Sequence, residues 1–324
     1  MKILIEGENL AGYLAKCHEA FRTGVAALHQ AKFFGKGYET FSRFSKSYQD
    51  IVKKTYGEEP FDILIASSFN PRTPNKDFDY SGMSSIEAKK AIFLCDYWSE
   101  AEPHFEEYVD FILRNKIDFI LSLFPQPLNN WGGSPIADRL IYMPPTFDPS
   151  IFKDWSIEKR YDVGFLADGT VARSSFYPER YEIHQKLASA DFEYLWASHP
   201  GWGYHKKDAP LVGVNFSKAI NSCRMFVTTG GIYKNPQPKI FEILASKALL
   251  LSDEPINETD LGLVDGVNYI KISADNILDK VHYFKRNPDE LNSIAEAGYR
   301  LALSKHSCYA RALDFRCKLY ERLT

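Results

Sequence analysis

Cysteine is scarce and does nothing visible. Five occur (Cys17, Cys95, Cys223, Cys308 and Cys317), an odd count with no Cys-x-x-Cys pair. That excludes a disulfide framework and fits reduced thiols in a cytoplasmic protein. Cys95 and Cys223 lie in or beside apolar runs, where buried, inert thiols are expected. Long apolar runs are missing too. No stretch approaches the roughly 18 residues of a membrane span, and Met1-Lys-Ile-Leu-Ile-Glu6 is no signal-peptide core. Charge of one sign is absent: 39 Lys and Arg face 42 Asp and Glu, a net charge of -3. Such a surface has no general attraction for nucleic acid or anionic membrane, although a local basic groove stays open. Solenoid repeats and low-complexity tracts are lacking. So is a metal signature. His199 and His205 stand without a carboxylate cluster, and Asp77-Phe-Asp79 lies among Pro71, Pro74 and Gly82, in a loop and not at a strand end.

What is present is ordinary globular material: 45% hydrophobic and 25% charged residues over 324 positions. That length exceeds one typical domain, so two are expected. Aromatic content of 15% is high; carbohydrate sites use ring faces, but so do cores. Apolar strand-like runs at Ile3–Ile5, Phe61–Ala66, Ala91–Cys95, Ile117–Leu123 and Leu140–Met143 alternate with helical periodicity at Ala11–Gln30 and Glu102–Asn115. The rhythm restarts with strands at Asp162–Leu166 and Phe192–Trp196. It ends in helices from Asn276, Asp289 and Ser307. Strands alternating with helices predict parallel sheets covered on both faces. The junction is expected in Pro144–Lys159, giving an N-terminal domain over 1–148, a second over 149–306 and a final helix over 307–324.

The most informative segment is Met225–Asp253. An apolar run meets Gly230-Gly231, and a loop leads to Pro238, favoured at a first helical position. A helix is predicted over Pro238–Ser246, followed by a second run, Ala248–Leu251, and Ser252-Asp253. Strand, glycine loop, helix and strand together aim backbone N–H groups and a helix N-terminus at an anion, typically a phosphate. Lys239, Glu242 and Ser246, three and four apart, share one polar face. Ile240, Phe241, Ile243 and Leu244 cover the buried side. A cation in the first turn opposes the macrodipole unless a negative ligand sits there. A carboxylate one turn on suits two sugar hydroxyls. The set fits a nucleotide diphosphate with its ribose, and equally an ordinary βαβ unit with a solvated helix face.

The second half resembles the CgeB-like (spore maturation protein) branch of the GT-B glycosyltransferases, within the glycosyl transferases group 1 family. The resemblance rests on Tyr161-Asp-Val-Gly-Phe165 with Arg173 after it, and on Phe216-Ser-Lys-Ala-Ile220. It continues through Lys239-Ile-Phe-Glu-Ile-Leu-Ala-Ser246, Ala248-Leu-Leu-Leu-Ser-Asp253, Ile294-Ala-Glu-Ala-Gly298 and His306-Ser-Cys-Tyr-Ala-Arg311. It covers roughly residues 160–315. The resemblance implies two Rossmann-like doubly wound α/β domains facing a central cleft. The second would hold a nucleotide-sugar such as a UDP-sugar, and the first the acceptor. By position it implies that Glu242 binds the donor ribose and that Lys239 stands near the diphosphate. Gly230, Gly231, Ile232 and Tyr233 would form the loop under phosphates and sugar, with Arg173 also on the donor. It implies a final helix crossing back to the N-terminal domain. The chain departs from the related Glu-x7-Glu pattern at Lys234, where an acid is usual, and at Lys247, where a glycine is usual.

Further candidates come from the residues themselves. In Glu6-Gly-Glu-Asn-Leu-Ala-Gly12, Asn9 and Gly12 either approach the donor phosphates or belong to a plain strand-to-helix turn with Asn9 as cap. Asp96, at a strand end beside Tyr97 and Trp98, is the candidate acceptor base, or a strand-end cap. His18 and Arg22 read as a surface pair, and His104 as structural. The loop Trp196–Tyr204 either holds a nucleobase or is plain surface. The expected activity is metal-independent sugar transfer from a nucleotide-sugar, a substrate and not a cofactor. The acceptor is open between a glycan, a small molecule, a protein and a modified nucleic-acid base. A sugar-nucleotide epimerase or hydrolase and a degenerate nucleotide-sugar-binding module are the alternatives.

Overall fold

The computed structural model describes residues 1–9, 17–41, 47–67, 69, 81–94, 100–167, 175–198 and 211–323. The chain divides into two compact units. One comprises Met1–Ala11, Arg22–Pro144 and Ala312–Thr324, the other Gly12–Phe21 and Pro145–Arg311.

The first unit is built on a six-stranded parallel sheet of order β2-β1-β3-β4-β5-β6. Its strands are β1 (Lys2–Glu6), β2 (Gln30–Phe34), β3 (Ile63–Ala66), β4 (Lys89–Phe93), β5 (Phe119–Ser122) and β6 (Leu140–Tyr142). The inner strands are unbroken apolar runs such as Ile63-Leu-Ile-Ala66, all buried, as expected where helices cover both faces. The helices are α1 (Cys17–Leu28), of which the part from Arg22 onward belongs to this unit, α2 (Tyr48–Thr55), α3 (Phe105–Arg114) and the short α4 (Gln126–Asn130). Trp131, Tyr48 and Tyr108 are the largest fully buried side chains of the core. Arg22 is not the surface residue expected. Its guanidinium is buried and donates to Glu8 O at 3.0 Å.

The second unit carries a five-stranded parallel sheet of order β11-β10-β9-β7-β8. The strands are β7 (Tyr161–Ala167), β8 (Tyr194–Ser198), β9 (Cys223–Thr228), β10 (Leu249–Ser252) and β11 (Ile270–Lys271). They alternate with α5 (Pro178–Ser189), α6 (Gly213–Asn221), α7 (Pro238–Ala245), α8 (Glu258–Leu261), α9 (Ile277–Arg286) and α10 (Pro288–Leu301). A π turn over Ala302–His306 leads into α11 (Cys308–Leu323). Burial pushes the Cys223 thiol up to about 12, so it is inert as expected. Among the described residues no helix is long and apolar enough to cross a membrane.

Several residues of the quoted motifs turn out to be packing devices. A Cβ on Gly298 would stand 2.6 Å from both Asn268 O and Leu244 Cδ2, so α10 can lie against α7 only with glycine there. His306 stacks on Phe241 (centroids 4.2 Å apart) and shares a hydrogen bond with Leu261 O (2.7 Å) through Nε2. Its Nδ1 accepts from Arg311 Nη2 at 2.5 Å. Burial and the Arg311 charge press the imidazole down to about 3, so it is neutral, with Nε2–H donating.

Candidate active site

Sheet order and chain order diverge at one place in the second unit. β8 lies on one side of β7, while the next strand, β9, lies on the other. Such a reversal opens a crevice at the carboxyl ends of the two strands, where open parallel sheets bind ligands. α7 enters there. Pro238 occupies its first turn, and Ile240, Phe241, Ile243 and Leu244 are fully buried. Each contributes about 1.5–3 kcal/mol of burial, which holds the helix rigidly under the crevice. The opposite side carries the chemistry. Lys239 Nζ donates to Leu166 O, on the strand-end side of β7, at 3.0 Å. Glu242, one turn further, keeps part of its surface in contact with solvent. No hydrogen bond takes up its carboxylate among the described residues. Burial pushes this carboxyl up to about 7, opposed by the Lys239 charge. An unsatisfied carboxylate in such a crevice signals a ligand site.

The loop between β9 and α7 is held from three directions. Its Thr229–Gly230 peptide is gripped at both ends. The Thr229 carbonyl accepts from Arg180 Nη2 at 2.8 Å, and Arg180 Nε donates to Thr229 Oγ1 at 2.9 Å. On the other side, the Gly230 N–H donates to Asp253 Oδ1 at 2.8 Å. The Arg180 guanidinium lies 3.3 Å from the Tyr177 ring centroid, a cation–π contact that fixes its plane. Burial pushes the Asp253 carboxyl up to about 6, against the pull of the Gly230 N–H and the Ser252 hydroxyl. Gly231 then turns left-handed at φ 72°, where a Cβ would come within 2.7 Å of Phe176 O. Ile232 N donates to that same carbonyl at 2.9 Å. Lys234 is also left-handed, at φ 49°; its N–H goes to Gly231 O and its carbonyl accepts from Ile256 N. Ile232 and Tyr233 stay 54% and 37% exposed, so this rigid loop presents apolar side chains outward.

Of the residues singled out from sequence, Lys239, Glu242, Gly230, Gly231, Ile232 and Tyr233 all lie on this segment. Asn9 belongs to the first unit; its backbone N–H goes to Lys36 O, and Nδ2 donates to Gly37 O at 3.3 Å. Arg173, Gly12 and Asp96 lie outside the described residues. So do His199, His205, Asp77, Asp79 and most of the loop Trp196–Tyr204. Two details differ from expectation. The Gly230 N–H is spent on Asp253 and does not point at a phosphate. Ser246 is fully buried, with Oγ 3.2 Å from Ser217 Oγ, so it shares no polar face with Glu242. The sequence reading missed Arg180 and Asp253. Their only local signals are an Arg in the first turn after Pro178 and an Asp closing an apolar run.

Residues 178–316 match the family model described as Glycosyl transferase-like, a span running from α5 into α11. No curated protein matches the chain. Solved structures do. A glycosyltransferase from Rickettsia africae ESF-5 superposes with a TM-score of 0.65 at 12% identity, covering 100% of this chain and 98% of its own. Anabaena Alr3699/HepE in complex with UDP and glucose gives 0.63 at 12% identity, over 99% and 100%. T4 phage BGT in complex with UDP and Mn2+ gives 0.59 at 13% identity, over 99% and 99%. These likenesses show the fold: two parallel-sheet α/β units of the GT-B kind.

Proposed function

We propose that this chain is a glycosyltransferase that binds a UDP-sugar at the strand-end crevice of its second unit and passes the sugar to an acceptor. The observation that carries the reading is Glu242, a largely buried carboxylate with no hydrogen-bond partner among the described residues, placed at the switch point one turn beyond Lys239. The family match spans both Lys239 and Glu242. Two of the similar structures are described with UDP.

In this reading the ionised Glu242 accepts hydrogen bonds from both ribose hydroxyls. The diphosphate lies over the N-terminal turn of α7, where the helix dipole favours negative charge. Transfer breaks the bond between the sugar's anomeric carbon and the diphosphate oxygen and forms one to the acceptor oxygen, whose proton goes to a base. Charge grows on the departing diphosphate, and the Lys239 ammonium is placed to offset it. Asp96 is our assignment for the base, on sequence grounds alone. Metal independence belongs to the same proposal. What supports it is that the cation beside Glu242 is Lys239.

The test is product analysis by mass spectrometry over a panel of UDP-sugars and candidate acceptors, with and without EDTA. A new glycoside formed in EDTA is the expected result. An altered nucleotide-sugar with no glycoside would indicate the epimerase reading instead. Binding without turnover would indicate a degenerate module, and loss in EDTA with recovery in magnesium or manganese would overturn metal independence.

A further inference from the structure

The loop lacks a carboxylate at Lys234, yet one stands beside it from another strand. Asp253 follows β10 directly, and β10 is the hydrogen-bonded neighbour of β9. The Gly230 N–H and the Ser252 hydroxyl both donate to Asp253 Oδ1, at 2.8 and 3.3 Å. Among the described residues nothing donates to Oδ2. One oxygen is therefore pinned to the glycine loop, which fixes the carboxylate plane, and the second is left to receive a donor. Its charged neighbours are Lys234 and Glu179. The Lys234 backbone is held at both its N–H and its carbonyl, and its side chain is exposed.

We infer that Asp253 Oδ2 receives a hydroxyl of the donor sugar, supplying from the end of β10 the carboxylate that the loop lacks at Lys234. This rests on the UDP-sugar reading. A carboxylate accepts and never donates, so it selects a sugar bearing a hydroxyl at that position. A pre-oriented acceptor left unpaired by a deoxy sugar discriminates far more strongly than an apolar wall does. Arg180 is the positioning residue of the arrangement. It grips the far side of the same peptide whose N–H orients Asp253.

The experiment compares Asp253→Asn with wild type for UDP and for UDP-glucose, UDP-galactose and UDP-N-acetylglucosamine, by calorimetry and by KM. The amide keeps an oxygen for the Gly230 N–H while replacing the second acceptor with a donor. The expected result is that affinity for the preferred UDP-sugar falls at least about tenfold more than affinity for UDP. Equal losses for UDP and UDP-sugar would mean that Asp253 only builds the loop, and no loss for either would also overturn the inference. A wild-type protein that binds none of the four probes would instead remove the UDP-sugar reading itself. Should the variant fail to fold, a wild-type co-crystal with UDP-glucose decides: a sugar hydroxyl within hydrogen-bond distance of Oδ2 is expected, and a sugar out of its reach overturns the inference.

Discussion

Glu242 is under opposing demands. In the folded protein its carboxyl titrates near 7, and in the unfolded chain near the ordinary 4.5. Between those values the folded state keeps a proton that the unfolded chain has lost, so this residue's contribution to stability falls as pH rises through the window. Glu242→Gln removes that burden. We expect the ligand-free variant to be more stable than wild type at pH 8, by about 3 kcal/mol at most, and no more stable at pH 4. The same change should weaken UDP binding by about 2–3 kcal/mol, the scale of hydrogen bonds to a charged acceptor. Thermal melts at the two pH values and calorimetry with UDP check both halves; equal melting shifts at pH 4 and 8 would contradict the first. Lys239→Ala should lower kcat at saturating donor more than it lowers affinity for UDP, because its charge matters most when the leaving group departs. Unchanged kcat would remove it from the chemistry. The placement of both residues on one short helix was legible, because helical spacing and Pro238 predict it. Arg180 and Asp253 were not, since their partners lie 49 and 23 residues away and no local period encodes such a pairing.

Elements were read where burial is complete and missed where it is partial. β9 and β10 stood out as apolar runs because helices cover both sheet faces. β2 reads Gln-Ala-Lys-Phe-Phe and is buried only at its last residue; as an edge strand it carries polar side chains that blunt further pairing and hide it from an apolar scan. α2 is short, with a charged outer face, and depends on packing for its stability. The π turn before α11 has no signature of its own in the sequence, although its His306, and Arg311 in the helix that follows, belong to the quoted motif His306–Arg311. That turn supplies an acid-sensitive point. The folded imidazole titrates near 3 and an unfolded one near 6.5. Below about 6.5 the unfolded chain binds a proton that the folded protein refuses, so stability falls as pH drops. His306→Gln can keep a donor toward Leu261 O without the titration. We expect it to cost stability at pH 8, through the lost stacking on Phe241, but to flatten the decline in melting temperature between pH 7 and 5. A variant that declines as steeply as wild type would assign the acid limb to other groups.

At the scale of the molecule, the two-unit α/β plan was legible from rhythm alone, because strand and helix periods alternate along nearly the whole chain. The first unit takes in Ala312–Thr324, most of α11. Ala312, Phe315 and Leu319 are buried. Lys318 Nζ donates to Tyr142 O at 2.8 Å and Arg322 Nη2 to Leu140 O at 2.9 Å, so the chain's last turns secure the edge strand β6. Arg322 also donates to Asp138 O. Truncation after Arg311 should therefore lower the melting transition of the first unit and spare UDP binding by the second; a calorimetric trace unchanged from the full chain would contradict this. The same helix sets an order on biosynthesis. A ribosome finishes residues 1–144 well before it makes the segment that covers β6, so the first unit is completed only after Pro145–Arg311 has been made. Until then its edge stands open to strand pairing with other chains, and a chain stalled or clipped before α11 would be an aggregation hazard although both sheets had been made.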